Sequence, residues 1–348
     1  MHPTVIFRCD GDGTNGLGHV SRCIALAEAF DELGWRCEFV GVYGAVAASL
    51  ISSAAFHHSP LGADIGGRED AAYTRAVSHE RSADLIVLDG YRFNQAYAAQ
   101  LRSNSRINLT VIDDFAAWPE YPAESLINFT LAAEERSYPP GPARLLLGPH
   151  FFLARRAMRR SREARQSTGG AGFKVGIVLS GDSTGRQSHA VLRSLPSAVS
   201  EVRVVLPGKL ADRPEVEQEL SRFGRQSGTQ IQSRDLSELL LWADVAICTG
   251  GMVKYEAAFL GAVPLILSNG EGEAADTESW IKRHAGFDLG RVQHLEQNVL
   301  AAALDRIFRL GVAELGAVSR RGKTLFLDDP TMNAARHILA SIRQRGAQ

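Results

Sequence analysis

Short apolar runs alternate with helical patterns along almost the whole of this 348-residue chain, and no other feature restricts its fold as much. In the first half the runs are Thr4–Cys9 (TVIFRC), Cys37–Tyr43 (CEFVGVY), Asp84–Asp89 (DLIVLD) and Asn108–Asp114 (NLTVIDD). Amphipathic helical patterns lie between them, as at Ser21–Gly34 and Asn94–Asn104. Near residue 170 a Gly/Ser/Thr stretch, QSTGGAG (Gln166–Gly172), interrupts the pattern as a linker would. The alternation then restarts with FKVGIVLSG, VRVVLPG, TQIQS, DVAICTGG and VPLILSNG. Strands of this kind, each followed by a helix, pair in parallel and are covered by helices on both faces. The expected fold is therefore α/β, with two Rossmann-like domains facing across a cleft. The boundaries predicted are 1–165, 173–330 and a terminal helix over 331–348 that packs back on the first domain.

Composition narrows the class further. Formal net charge is −1, which gives no global attraction to nucleic acid or anionic membrane. The Arg-rich run Ala154–Arg165 (ARRAMRRSREAR) reads either as a solvated helix face or as a binding stripe. The four cysteines, Cys9, Cys23, Cys37 and Cys248, show no CxxC or metal-type spacing and read as reduced thiols. No apolar run reaches the roughly 20 residues that span a bilayer, and the start of the sequence does not read as a leader. The expectation is a cytoplasmic protein with no membrane segment, no metal and no cofactor.

In open α/β sheets ligands bind beyond the carboxyl ends of the strands, so those ends were inspected for chemistry. The loop Asp10–Gly18 (DGDGTNGLG) leads into a helix with His19 in its first turn. A helix N-terminus disfavours the imidazolium, and a neutral imidazole is what a general base requires near neutral pH. Asp10 is a carboxylate that could oppose that shift, and a histidine that merely hydrogen-bonds a loop is the plainer use. The loop does not match the dinucleotide fingerprint. Asp89 and Tyr91 follow the next buried run, and Asp113 and Asp114 end another. Paired acids there orient a histidine, bind sugar hydroxyls or cap the next turn, capping being the commoner use. Asn128 ends a short apolar run and alone carries little information. Ser180 and Gly181 open a turn that could face phosphate but lacks the P-loop lysine. The strongest segment is Ala243–Gly270, where a strand ends at Thr249-Gly250-Gly251 and a helix begins with Met252 and Val253. The glycines let a diphosphate approach unpaired N–H groups, and the Glu256 carboxylate could take both hydroxyls of a ribose. The alternative use is a Gly-rich turn beside an exposed Glu.

Taken together these pieces resemble the donor-binding region of GT-B glycosyltransferases. The chain is more closely similar to the sugar-nucleotide hydrolases of pseudaminic acid biosynthesis, which act on UDP-2,4-diacetamido-2,4,6-trideoxy-β-L-altropyranose and are themselves similar to MurG. The resemblance covers roughly residues 4–340. Its most specific part is Phe-Arg-x-Asp, a gap and Gly-x-Gly-His-x-x-Arg, matched in register by Phe7, Arg8, Asp10, Gly16, Gly18, His19 and Arg22. LDGYRF, VIDDFA, LINFTL and GPHFFLARRAMRR follow in the family's order.

The resemblance implies an inverting attack of water on the anomeric carbon with release of UDP. His19 matches the proposed base, Tyr91 lines the site, and Glu256 would bind ribose in the C-terminal domain. A GT-B glycosyltransferase is the alternative, with an acceptor in place of water, and a nucleotide-sugar binder without turnover is a third reading. The chain departs from the family pattern at Cys9 and Asp12 and at LSGDSTGRQS. It departs again at SNGEGEAADTESW, where an Asn-Gln pair is replaced by Glu271, Glu273, Asp276 and Glu278. Acids are poor neighbours for a diphosphate.

Overall fold

The computed structural model describes residues 2–11, 16–62, 64–103, 107–141, 143–164, 172–206, 214–224, 227–231 and 235–345. Asp12 of the opening loop and most of the 166–172 linker lie outside them, as does Arg165. The chain divides into two compact units, 157–326 and a first unit made of 1–156 with 327–348.

The first unit holds a seven-stranded sheet: β1 (Thr4–Cys9), β2 (Arg36–Gly41), β3 (His57–Pro60), β4 (Leu85–Asp89), β5 (Asn108–Ile112), β6 (Ser125–Asn128) and β7 (Arg144–Leu147). Their order is β3-β2-β1-β4-β5-β6-β7, with every pairing parallel. The second unit holds β8 (Phe173–Val178), β9 (Val199–Leu206), β10 (Gly228–Ile231), β11 (Val245–Thr249), β12 (Val263–Ser268) and β13 (Phe287–Arg291). Their order is β10-β9-β8-β11-β12-β13, again parallel. In each sheet the chain winds outward through three strands and then returns to the other side of the first, so the switch point lies between β1 and β4 in one and between β8 and β11 in the other. The loops leaving those strands are where such a sheet takes a ligand.

The apolar runs became the central strands because continuous burial on both faces suits Val, Ile and Leu. β1, β4 and β11 are buried throughout. The Gly18–Glu32 helix, read as amphipathic, is buried nearly all round from Val20 to Phe30. Its second face is covered by the Pro330–Arg345 helix, which returns to the first unit. Thr331 Oγ1 accepts from Ala154 N at 2.8 Å, and Asn333 Nδ2 donates to His150 O at 3.0 Å.

The basic run proves to be neither a solvated face nor a stripe. Arg155 meets the buried Glu28, and Arg156 reaches Asp31 and Glu32, each at 2.7 Å. Arg162 is buried, lies over the Phe259 ring and donates to Lys323 O at 2.9 Å, which ties residues 157–164 to the second unit. The division therefore falls at Arg156, before the linker expected to mark it.

β1 is fixed from beneath by ions. The fully buried Arg8 donates through Nε and NH2 to both oxygens of Asp70, at 2.9 and 2.7 Å, and through NH1 to Asp10 at 2.7 Å. Tyr97 Oη and Gly66 N also donate to Asp70. Burial alone would raise the Asp70 carboxyl, but Arg8 and these donors hold it below its ordinary value. Replacing Arg8 by Met is expected to cost about 3–5 kcal/mol, read as a lower denaturant midpoint, because it strands two buried carboxylates. A carboxylate with a depressed native pKa contributes stability that is complete above about pH 4 and is lost as pH falls through the native value. Asp70→Asn should therefore flatten the acid limb of stability against pH.

Candidate active site

The switch point of the first sheet places Cys9 and Asp89 side by side as register partners. Gly16, at φ +67, takes a left-handed conformation that a side chain would resist, and the chain enters the Gly18–Glu32 helix two residues later. That helix starts without a side-chain cap and without an acid in its first turn. His19 and Arg22, three residues apart, share a face and both reach Asp89. His19 Nδ1 lies 2.8 Å from Asp89 Oδ1. Arg22 donates through Nε and NH2 to the two Asp89 oxygens, each at 2.6 Å, and through NH1 to both Asp114 oxygens at 2.9 and 2.7 Å. Tyr91 Oη donates to Asp114 Oδ2 at 2.9 Å, and its ring stands edge-on to His19 with centroids 4.5 Å apart.

Burial alone would lower the Arg22 pKa and raise that of Asp89. Their mutual attraction prevails, with Asp114 and His19 adding to it, so Arg22 stays a cation and Asp89 is held well below the carboxylate range. An ionised Asp89 accepts and does not donate, so the proton of a neutral His19 belongs on Nδ1. The Arg22 NH2 group, 3.3 Å from the same nitrogen, gives its hydrogen to Asp89 instead. In that neutral form Nε2 keeps its lone pair. Tyr91 is 63% exposed as a residue, but its hydroxyl is turned to Asp114, where lost hydration and then the Asp114 charge push it above the usual phenol range. It therefore works as a neutral donor.

Several expected residues serve other partners. Asp10 Oδ1 accepts from Arg8 and from Val42 N at 2.8 Å, so the carboxylate that answers His19 is Asp89, not Asp10. Asp113 organises the next turn, accepting from Phe115 N, Ala117 N and Tyr121 Oη. Asn128, fully buried, accepts from Thr130 and donates to Tyr138 Oη at 2.9 Å. Beside Tyr91, a cavity of about 120 Å³ is lined by Phe93, Phe115 and Trp118.

In the second unit, β8 and β11 end next to each other, and Ser180 N donates to Thr249 Oγ1 at 3.3 Å. Gly181 takes φ +88. Asp182 Oδ2 accepts from the Ser188 N–H and hydroxyl, both at 2.8 Å. Its Oδ1 is buried and has no hydrogen-bond partner among the described residues. Gly250 N closes on Leu267 O, and Gly251 caps the Met252–Leu260 helix, which carries Val253 buried and Glu256 half-buried. Asp276 faces inward, 2.7 Å from Lys254 Nζ and 2.6 Å from Tyr255 Oη. Among the described residues no group of three or more His, Cys, Asp or Glu could hold a metal ion, and no helix is long and apolar enough to cross a membrane.

The chain is similar in structure and in sequence to known proteins. It superposes on MurG of Acinetobacter baumannii with a TM-score of 0.64 at 10% identity, covering 97% of this chain and 99% of MurG. The spinosyn rhamnosyltransferase SpnG complexed with thymidine diphosphate gives 0.63 at 13%, covering 99% and 100%. The fold is GT-B. In sequence, the chain is 22% identical over 304 residues to the spore coat polysaccharide biosynthesis protein SpsG of Bacillus subtilis (strain 168), which covers 86% of this chain and 87% of SpsG. No family model matches.

Sequence reasoning quoted Asp89 without giving it a role. The signal available was its place at the end of the strand beside β1, across the switch point. The charge arrangement predicts that ¹⁵N shifts of the neutral His19 ring show Nδ1 protonated and Nε2 bare, and that Asp89→Asn erases this preference.

Proposed function

We propose that this protein cleaves the anomeric C1–O bond of a nucleoside diphosphate sugar, and that water is the nucleophile. The observation that carries the reading is the Asp89–His19 pair at the switch point, with its 2.8 Å contact on Nδ1 and Nε2 free to act. Water held on Nε2 attacks C1 and transfers its proton to the imidazole as the C–O bond forms. The bond from C1 to the diphosphate oxygen breaks with its electron pair on the leaving group, and the configuration at C1 inverts. Asp89 then faces an imidazolium whose charge it balances. A general base of this kind contributes typically 10²–10⁴-fold.

The nucleotide belongs to the second unit in this reading. The Gly250–Gly251 turn and the Met252–Leu260 helix, whose start has no side-chain cap, take the diphosphate. Glu256 takes ribose hydroxyls, and the unpartnered Asp182 Oδ1 offers an acceptor to the same ligand. Ser180 and Gly181 edge that ligand's place. SpsG, named for polysaccharide biosynthesis, supports a sugar-nucleotide substrate, and the resemblance to pseudaminic acid enzymes supports UDP with a diacetamido deoxy sugar. Arg22, Asp113, Asp114 and Asn128 are assigned to building the site rather than to touching the sugar, since their polar groups serve protein partners.

A second reading, glycosyl transfer, draws on the transferases MurG and SpnG among the structural neighbours. An acceptor hydroxyl would then stand where water does. Incubation with a panel of nucleotide sugars in ¹⁸O-water, without acceptor, separates the two. Labelled free sugar with unlabelled diphosphate is expected; nucleotide binding without release would sink the hydrolase. His19→Ala should lower turnover by roughly 10²–10⁴-fold with nucleotide affinity unchanged. Glu256→Ala should weaken nucleotide affinity and spare the chemical step, as separate titration and single-turnover measurements would show.

A further inference from the structure

The Met252–Leu260 helix has no side-chain cap and no acid in its first turn, yet its positive end is not bare. The buried Asp276 locks the Glu271–Lys282 helix to it through Lys254 and Tyr255. Glu273 precedes Asp276 by three residues and so points to the same neighbour one turn earlier. It lies directly over the glycine turn. A Cβ placed on Gly250 would stand 2.7 Å from both Glu273 Oε2 and Glu273 Cβ, and one on Gly251 would stand 4.0 Å from Oε1. Asn269 N donates to Oε2 at 2.8 Å, which holds the carboxylate there. The bare Cα of Gly250 thus makes room for a carboxylate of this same chain. The neighbouring acids look elsewhere: Glu271 lies 3.8 Å from Arg291, and Glu278 is exposed.

A diphosphate at Gly250–Gly251 would bring the same sign of charge into the space Glu273 already fills, where like charges repel. We propose that Glu273 is a built-in counter-anion that occupies the diphosphate position in the free protein and is displaced when a nucleoside diphosphate enters. Its return to the glycine turn and to Asn269 N–H helps expel the diphosphate product. This rests on the nucleotide-sugar reading above and gives that site a self-competitor.

The test is titration calorimetry of UDP and thymidine diphosphate, with uridine as control, on the wild type, Glu273→Gln and Glu273→Ala, with and without Mg²⁺. Both variants should bind the diphosphates roughly tenfold more tightly, the size of one like-charge contact removed. Uridine affinity should not change. Equal or weaker diphosphate binding in the variants would overturn the proposal. So would Mg²⁺ strengthening the wild type alone, since Glu273 would then hold a cation together with the diphosphate. If no nucleotide or nucleoside binds any of the three proteins, the nucleotide reading itself fails and the counter-anion with it. If uridine binds while the diphosphates ignore the substitutions, only the counter-anion fails.

Discussion

A single buried guanidinium organises the carboxyl end of the first unit's sheet. Arg22 rises from the Gly18–Glu32 helix and grips Asp89 at the end of β4 and Asp114 just beyond β5. Through Asp89 it sets the proton position on His19, and through Asp114 it holds the Tyr91 hydroxyl. Removing two carboxylates and an arginine from water is costly, and such a group is tolerated only when nearly all its hydrogen bonds are made. Four contacts between 2.6 and 2.9 Å meet that condition. The same solution recurs one layer down, where Arg8 joins Asp10 and Asp70. Two arginines in one sequence motif thus hold the carboxylates of Asp10, Asp70, Asp89 and Asp114 in place, the third of which meets His19.

The two units share a sheet topology and use it differently. In the first, the switch point is filled with charged side chains that fix one another. In the second, the corresponding end is a glycine turn with the Glu273 carboxylate over it, and Asp276 is drawn inward by Lys254 and Tyr255. One unit presents an imidazole on a carboxylate, and the other presents a glycine turn and a helix end beneath the Glu273 carboxylate. That contrast follows from the residues at the strand ends, since the strands beneath them are equally apolar.

Much of this was legible in the sequence because central parallel strands are long apolar runs. β1, β4, β8, β11 and β12 lie within the runs that marked them. β3, β7 and β13 were not identified as strands, and β6 was marked only as a short apolar run ending at Asn128. His57–Pro60 and Phe287–Arg291 are short, partly polar edge strands, β6 has four residues, and β7 sits inside a Pro-rich passage. Hydrophobic periodicity carries no signal over four residues. His19 and Tyr91 were visible as residue types in unusual places, whereas the choice of Asp89 over Asp10 was not. It depends on which strand neighbours β1, and the pairing of β1 with β4 across 80 residues is a property of the sheet. The arginines of 154–162 looked like one surface feature, but they split between two units because their partners, Glu28 and Lys323, lie far apart in sequence.

The Pro330–Arg345 helix gives the first unit a second crossing of the chain. It covers the Gly18–Glu32 helix, and Ser341 reaches Ser125 on β6 at 2.8 Å. On the ribosome, therefore, the strands of the first sheet emerge early but wait for their last covering helix until the whole second unit has been made. Synthesis proceeds from the N-terminus, so the second unit is the first to have all its parts. The helix that carries His19 and Arg22 therefore gains its covering partner only after the second unit has been translated.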